Sequence, residues 1–366
     1  MRVYLHIGLE KTGTSSIQQF LRINRDALKA ARLLFPHAPG AENHMALSAA
    51  AQNEQKRDDL RMIYGLDSPA KIREFRKTLV EKLVAEAEEA GCHTVVLSGE
   101  HCSSRLTTPA EVELLWRMLQ SLTKDIRVIV YLRRQDEFLC STYSTDVKSG
   151  FTGSMKLPSA ELREQRYNYY PLLERWDSVV GRANLICRIY DRAALKDGDV
   201  VADFLQLLGL DYEENYRRPE RVNESLDVNA LEFLRLFNQI IPRFKNEKPN
   251  VLRGNIVKLL QMASDGPAAA LPDEELAEFM RHFRESNTRV ALEYFGALHA
   301  DGDPLFGPVK NNGNRAQVQP IAAETAVKIA AILWEQKQQQ IAKLSDRIAK
   351  LESKKPVKRS AQEPVE

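Results

Sequence analysis

A short segment near the start of the chain concentrates residues that bind anions. Gly8 and Gly13 flank Lys11, and Thr12, Thr14, Ser15 and Ser16 add hydroxyl groups. The apolar run Val3–Ile7 precedes the segment and an amphipathic helical pattern follows it from Ser16. A glycine loop between a strand and a helix brings backbone N–H groups to a helix N-terminus, where the orphan donors and the helix dipole favour phosphate-like anions. An ordinary helix cap needs one hydroxyl. It does not need a lysine, two glycines and consecutive hydroxyls, so the pattern points to an anion site. The lysine supplies a mobile positive charge that can follow charge developing on a leaving oxygen. Its place is unusual: the nucleotide-binding pattern GxxxxGK[ST] puts Lys after the second Gly, and here Lys11 comes before Gly13.

Two further groups stand where strands should end. The run Arg127–Leu132 leads into Arg133-Arg134-Gln135-Asp136-Glu137, with Ser141 and Tyr143 beyond. Arginine offers a planar charged fork and serine a hydroxyl, a pairing suited to a second phosphate. The plain alternative pairs Arg133 and Arg134 with Asp136 and Glu137 on a solvated helix start. The run Thr94–Ser98 leads into Gly99-Glu100-His101-Cys102-Ser103-Ser104. Glu100 and His101 are the candidates for accepting a proton there; the alternatives are a helix-start carboxylate and a packed histidine.

The lysine order resembles the 5′-phosphosulfate loop of sulfotransferases that use 3′-phosphoadenosine 5′-phosphosulfate (PAPS), whose loops read approximately KxGTT/S. The bacterial carbohydrate and lipid enzymes and the heparan-type Golgi enzymes are the nearer relatives. The resemblance implies that Lys11, Thr12, Gly13, Thr14, Ser15 and Ser16 hold the 5′ end of PAPS. It implies that Arg133 and Ser141, at the family's spacing with Tyr143 two residues on, hold the 3′-phosphate. The family's usual Asn-Pro is replaced by Arg134-Gln135, which leaves open whether Arg134 also touches a phosphate. In the family the loop after the second strand supplies a Glu or a His as base. The Ser-x-Glu pattern resembles the Glu branch, so Glu100 is expected first and His101 second. Lys11 then neutralises the departing phosphate. The acceptor implied is a hydroxyl or amine, in a carbohydrate or glycolipid. No metal is expected, because no carboxylate cluster or His/Cys set has ligand spacing. Arg221–Ser225 and Ser286–Phe306 resemble recurrent stretches of bacterial members. Two other readings are a kinase-like phosphotransferase, disfavoured by the displaced lysine and a missing Mg²⁺-type Asp, and a non-catalytic adaptor on a nucleotide fold.

The elements that must position these groups are readable from periodicity. Val3–Ile7, Thr94–Ser98, Arg127–Leu132 and Leu185–Tyr190 are apolar almost throughout, as strands are when helices cover both sheet faces. Helical patterns at Ser16–Leu33, Ala70–Ala90 and Pro109–Leu122 separate them. The expectation is an α/β fold with a doubly wound parallel sheet, its ligand beyond the carboxyl ends of the strands. After Asp191 the pattern turns helical. A core domain is expected over residues 1–312, with His44 and Lys148 as weaker acceptor-side candidates. A long helix over 321–353 carries Val327, Ala330, Trp334, Lys337, Ile341, Leu344, Ile348 and Leu351 at coiled-coil spacing. That ladder suggests a homo-oligomer, and its lysines and arginines suggest peripheral contact with an anionic membrane surface instead. Residues 354–366 read as a disordered tail.

Composition bounds the rest. The 366 residues are 43% hydrophobic and 28% charged, enough for a large core, and the net charge of +2 argues against a protein that coats nucleic acid. Four cysteines without a CxxC pair read as reduced thiols. With no secretory or membrane-spanning pattern, a cytoplasmic protein is expected, placed at the inner membrane face if the terminal helix binds lipid.

Overall fold

The computed structural model describes residues 1–212, 216–219, 226–246, 248–309 and 315–352. Arg221–Ser225 and the tail from 354 onward lie outside the described residues. The chain forms two compact units that interleave along the sequence. The first comprises residues 1–142, 156–223 and 272–311; the second comprises 143–155, 224–271 and 312–366.

Among the described residues the first unit carries a five-stranded sheet: β1 (Arg2–His6), β2 (Leu33–Leu34), β3 (Thr94–Ser98), β4 (Ile126–Leu132) and β5 (Leu185–Ile189). Their spatial order is β2-β3-β1-β4-β5 and every pairing is parallel. Alternate side chains enter two cores. Val3, Leu5, Val95, Leu97, Val128 and Val130 face one side. Tyr4, Val96, Ile129 and Tyr131 face the other. Helices Pro69–Ala90, Pro109–Gln120 and Tyr169–Val180 cover the first face. Helix α1 (Thr14–Ile23) and the helix Val200–Leu207 cover the second. The sheet is therefore doubly wound, and burial on both faces explains why the strands carry no polar alternation.

Two local differences from the periodicity have simple causes. The pattern over Ser16–Leu33 breaks at Asn24, whose side-chain amide donates to the Phe20 carbonyl at 3.0 Å and ends α1 early. Leu33 and Leu34, at the end of that pattern, form β2 on the sheet edge; two residues show no readable period. The start of Pro109–Gln120 follows the sequence closely: Thr108 and Glu111 form a capping box, with Pro109 at the first helical position.

The second unit joins the helices Val228–Ile240 and Ile256–Met262 to a parallel pair of short strands, Ala268–Ala270 and Arg315–Gln317. Asn238 ties residues 147 and 151 to this unit through bonds of 2.8 and 3.0 Å to their carbonyls. The long terminal helix runs over Ala323–Glu352. Ile329 is buried, whereas Val327, Trp334, Ile341, Leu344, Ile348 and Leu351 are all more than half exposed. No helix among the described residues is long and apolar enough to cross a membrane.

Two buried histidines of the first unit set how stability depends on pH. His6 on β1 is fully enclosed, and burial pulls its imidazole down to about 3. His44 is equally buried and is likewise pulled to about 3. Its Nδ1 accepts from the Ser98 N–H at 3.1 Å, its Nε2 lies 3.1 Å from the Pro36 carbonyl, and its ring stacks on Phe35. His44 is thus a structural residue that extends the edge of the sheet. Unfolded, each imidazole titrates near 6.5. Between that value and about 3 the unfolded chain binds protons that the folded chain refuses. Their contribution is complete above pH 6.5 and is lost as the pH falls. Each histidine should steepen the loss by about 1.4 kcal/mol per pH unit below pH 6. Urea unfolding at pH 7, 6 and 5 measures the slope, and His44→Gln should remove one proton's share; an unchanged slope would refute the assignment.

Candidate active site

The site gathers where β1 lies between β3 and β4, the point at which the strand order reverses. Beyond β1 the backbone keeps pairing with β4: the Leu9 N–H donates to the Tyr131 carbonyl at 3.1 Å, and the Tyr131 N–H donates to the Gly8 carbonyl at 2.8 Å. The chain then turns sharply. Lys11 adopts the left-handed conformation at φ 64°, as does Gly13 at φ 78°. Thr12 is buried, and its hydroxyl donates to the Leu9 carbonyl at 2.6 Å, which closes the turn from inside. Its side chain is engaged in shaping the loop. α1 begins at Thr14 with no side-chain cap. Ser15 and Ser16 are exposed on its first turn, and Thr14 is buried.

Gly13 is where the loop meets its support. A Cβ there would stand 2.7 Å from Val200 Cγ1, on the helix Val200–Leu207. With the left-handed backbone, Gly13→Ala should cost roughly 1–3 kcal/mol in urea unfolding. Combining it with Val200→Ala should lose less than the sum of the two single variants; strict additivity would show that the close approach is not the cause.

Arg133, just past β4, reaches back to the loop: Nη1 donates to the Lys11 carbonyl at 2.9 Å. Nε donates to Glu137 at 3.2 Å, and the guanidinium lies 5.5 Å from the Tyr190 ring centre. Its own carbonyl accepts from the Tyr169 hydroxyl at 2.5 Å. Lys11 and Arg133 are therefore in direct contact through the backbone. Ser141 follows, half-buried, on the helix Gln135–Lys148 into which Arg133 leads.

Arg134 turns the other way. Nη1 donates to the Gly307 carbonyl at 3.0 Å, and the guanidinium pairs with the buried Asp136 at 3.1 Å. Gln135 is fully buried and exchanges amide bonds with Asn287, 2.7 Å in one direction and 3.2 Å in the other. Asn287 also donates to Asp303, which accepts from the Leu305 and Phe306 N–H groups. The substituted pair after Arg133 and the Ser286–Phe306 stretch are thus two halves of one contact.

Glu100 stands at the start of the short helix His101–Arg105. Gly8 packs against it, with space for a Cβ only 3.2 Å from the Glu100 Cα. The Glu100 carboxylate accepts from the Gln18 amide at 2.6 Å, and Gln18 lies on α1. The same amide nitrogen is 3.3 Å from the Ser98 hydroxyl, which is 2.9 Å from His6 Nδ1. His101 is half-buried beside Glu100 on that helix. Sequence reasoning passed over Gln18; its signal was its place one turn after Thr14 on the same helix face. Glu10 accepts from Ser104 at 3.1 Å and pairs with Arg166 at 2.9 Å, so this acid is engaged in bracing the loop. Cys102, enclosed behind Glu100, has its thiol pushed up to about 12 by burial. Among the described residues no group of three or more His, Cys, Asp or Glu side chains could hold a metal ion.

No family model matches the chain. An uncharacterized protein of Archaeoglobus fulgidus is 32% identical over 170 residues, 46% of this chain and 46% of that protein. The chain thus spans about half the length of the curated relative it matches. Among solved structures, the chain is similar to the crystal structure of a sulfotransferase from Alicyclobacillus acidocaldarius. That similarity covers 81% of this chain and 96% of the other, with a TM-score of 0.43 and 13% identity.

Proposed function

We propose that the chain transfers a sulfuryl group from PAPS to a hydroxyl or amine of a carbohydrate or glycolipid acceptor. The observation that carries this reading is the bond from Arg133 to the Lys11 carbonyl. It joins the loop after β1 to the arginine after β4, the two elements read as anion-binding, and PAPS carries phosphate at both the 3′ and 5′ positions of its ribose. ATP has phosphates at one end alone and would leave one element without a role.

In this reading the loop N–H groups and the Ser15 and Ser16 hydroxyls bind the 5′-phosphosulfate, and Arg133 with Ser141 binds the 3′-phosphate. The acceptor oxygen or nitrogen forms a bond to sulfur as the bond from sulfur to the bridging oxygen breaks. Glu100 takes the acceptor's proton, with His101 the second choice, and Lys11 offsets the charge on the departing phosphate. Positioning and electrostatics supply most of the rate, as in phosphoryl transfer.

Calorimetric titration with 3′,5′-adenosine bisphosphate and with ATP–Mg²⁺ tests the donor. Tight binding of the bisphosphate without metal is expected. Preference for ATP–Mg²⁺ would replace the reading with phosphotransfer, and binding of neither would favour an adaptor.

For the terminal helix the same reading includes self-association along the exposed ladder from Val327 to Leu351, whose heptad spacing a second copy would match. Light scattering should give two chains per particle for the full-length protein and one for a chain ending at Pro320. An unchanged number of chains per particle would sink the idea, and full-length binding to anionic vesicles would then assign the helix to membranes.

A further inference from the structure

We infer that Gln18 is a positioning residue that locks the orientation of Glu100 to the helix carrying the anion loop. The inference rests on the sulfuryl-transfer reading, in which Glu100 is the base. Gln18 is buried, and its amide nitrogen has two hydrogens to place. One points to the Glu100 carboxylate at 2.6 Å and the other to the Ser98 hydroxyl at 3.3 Å. The nitrogen must be the end that faces Glu100, because the amide oxygen there would set two acceptors against each other.

Ser98 cannot drift: it ends β3, its hydroxyl lies 2.9 Å from His6 Nδ1, and its N–H is held by His44. The amide is thus fixed from the sheet side and fixes the carboxylate on the other. Gln18 lies on α1 one turn from Thr14, where the loop ends and the helix begins. The distance between a donor on the loop and the carboxylate is then set by one helical turn and one hydrogen bond. Catalysis by an oriented base depends on such spacing, and a displacement of about 1 Å costs on the order of 10²-fold. Nothing in this arrangement requires Gln18 to touch the nucleotide.

The test uses the full chain and three measurements: fold by circular dichroism, affinity for 3′,5′-adenosine bisphosphate, and maximal rate. The rate is the release of that bisphosphate from saturating PAPS with cell-envelope extract as acceptor source. Gln18→Met keeps the volume and removes the donor; Gln18→Ala repeats the test without the bulk. Both should bind the bisphosphate within about 2-fold of the parent chain and lose roughly 10–100-fold in rate, part of the 10²–10⁴-fold that a general base contributes. In a Glu100→Gln background the Gln18→Met change should have no further effect on rate, since nothing remains to be oriented. A merely structural role would lower affinity and rate together and would persist in that background. Either of those outcomes, or an unchanged rate in the single variants, overturns the inference. A parent chain that neither binds the bisphosphate nor consumes PAPS overturns the donor reading itself, and this result is distinct from the others.

Discussion

Lys11→Met is expected to lower the maximal rate of PAPS turnover by about 10²–10³-fold, the usual loss when one preorganised stabiliser of a developing charge is removed. Affinity for the bisphosphate should fall much less, because the loop N–H groups and Arg133 remain. The backbone makes the experiment unusually clean. Lys11 stands at φ 64°, a conformation that glycine adopts freely. Lys11→Gly therefore removes the amine while easing the turn, so it should fold at least as well as the parent and be as slow as Lys11→Met. A Lys11→Gly chain with near-parental rate would show that the residue serves only the shape of the loop.

Glu100→Gln should be the second large effect, a loss of about 10²–10⁴-fold in turnover with bisphosphate affinity retained. The substitution is nearly isosteric, and an amide at position 100 can still offer its oxygen to Gln18, so the local packing should survive. Near-normal turnover in this variant would move the proton-accepting role to His101. Initial rates at saturating PAPS, beside calorimetry, separate the two.

Much of the fold was legible because its strands are buried on both faces and so read as uninterrupted apolar runs. The loop was legible because its residue types have few other uses in that order. What escaped had weak local signals. β2 is two leucines on an edge, at the very end of what periodicity takes for a helix and one residue past it. Gln18 looks like any polar helical residue until the sheet brings Ser98 and Glu100 to it. Arg134 could be read either as a phosphate ligand or as a helix-start partner of the nearby acids, and Gln135 carried no reading of its own. Only the return of residues 287–307 to their side shows them bonded to Asn287 and Gly307. The grouping into two units was hidden for a related reason, since each is assembled from separated segments that no composition shift marks.

The Gln135–Asn287 exchange also has a consequence for how the protein comes into being. Gln135 opens the helix that carries Ser141, and its buried amide bonds both to the Tyr167 carbonyl and to a residue 152 positions later in the chain. All five strands of the sheet lie before that partner. On the ribosome the sheet can therefore form early, while the helix start beside Arg133 waits for its amide exchange with Asn287 until residues near 287 emerge, many seconds later at about 5–20 residues per second. A nascent chain released short of that point would hold all five strands and still lack the Asn287 half of the contact beside Arg133.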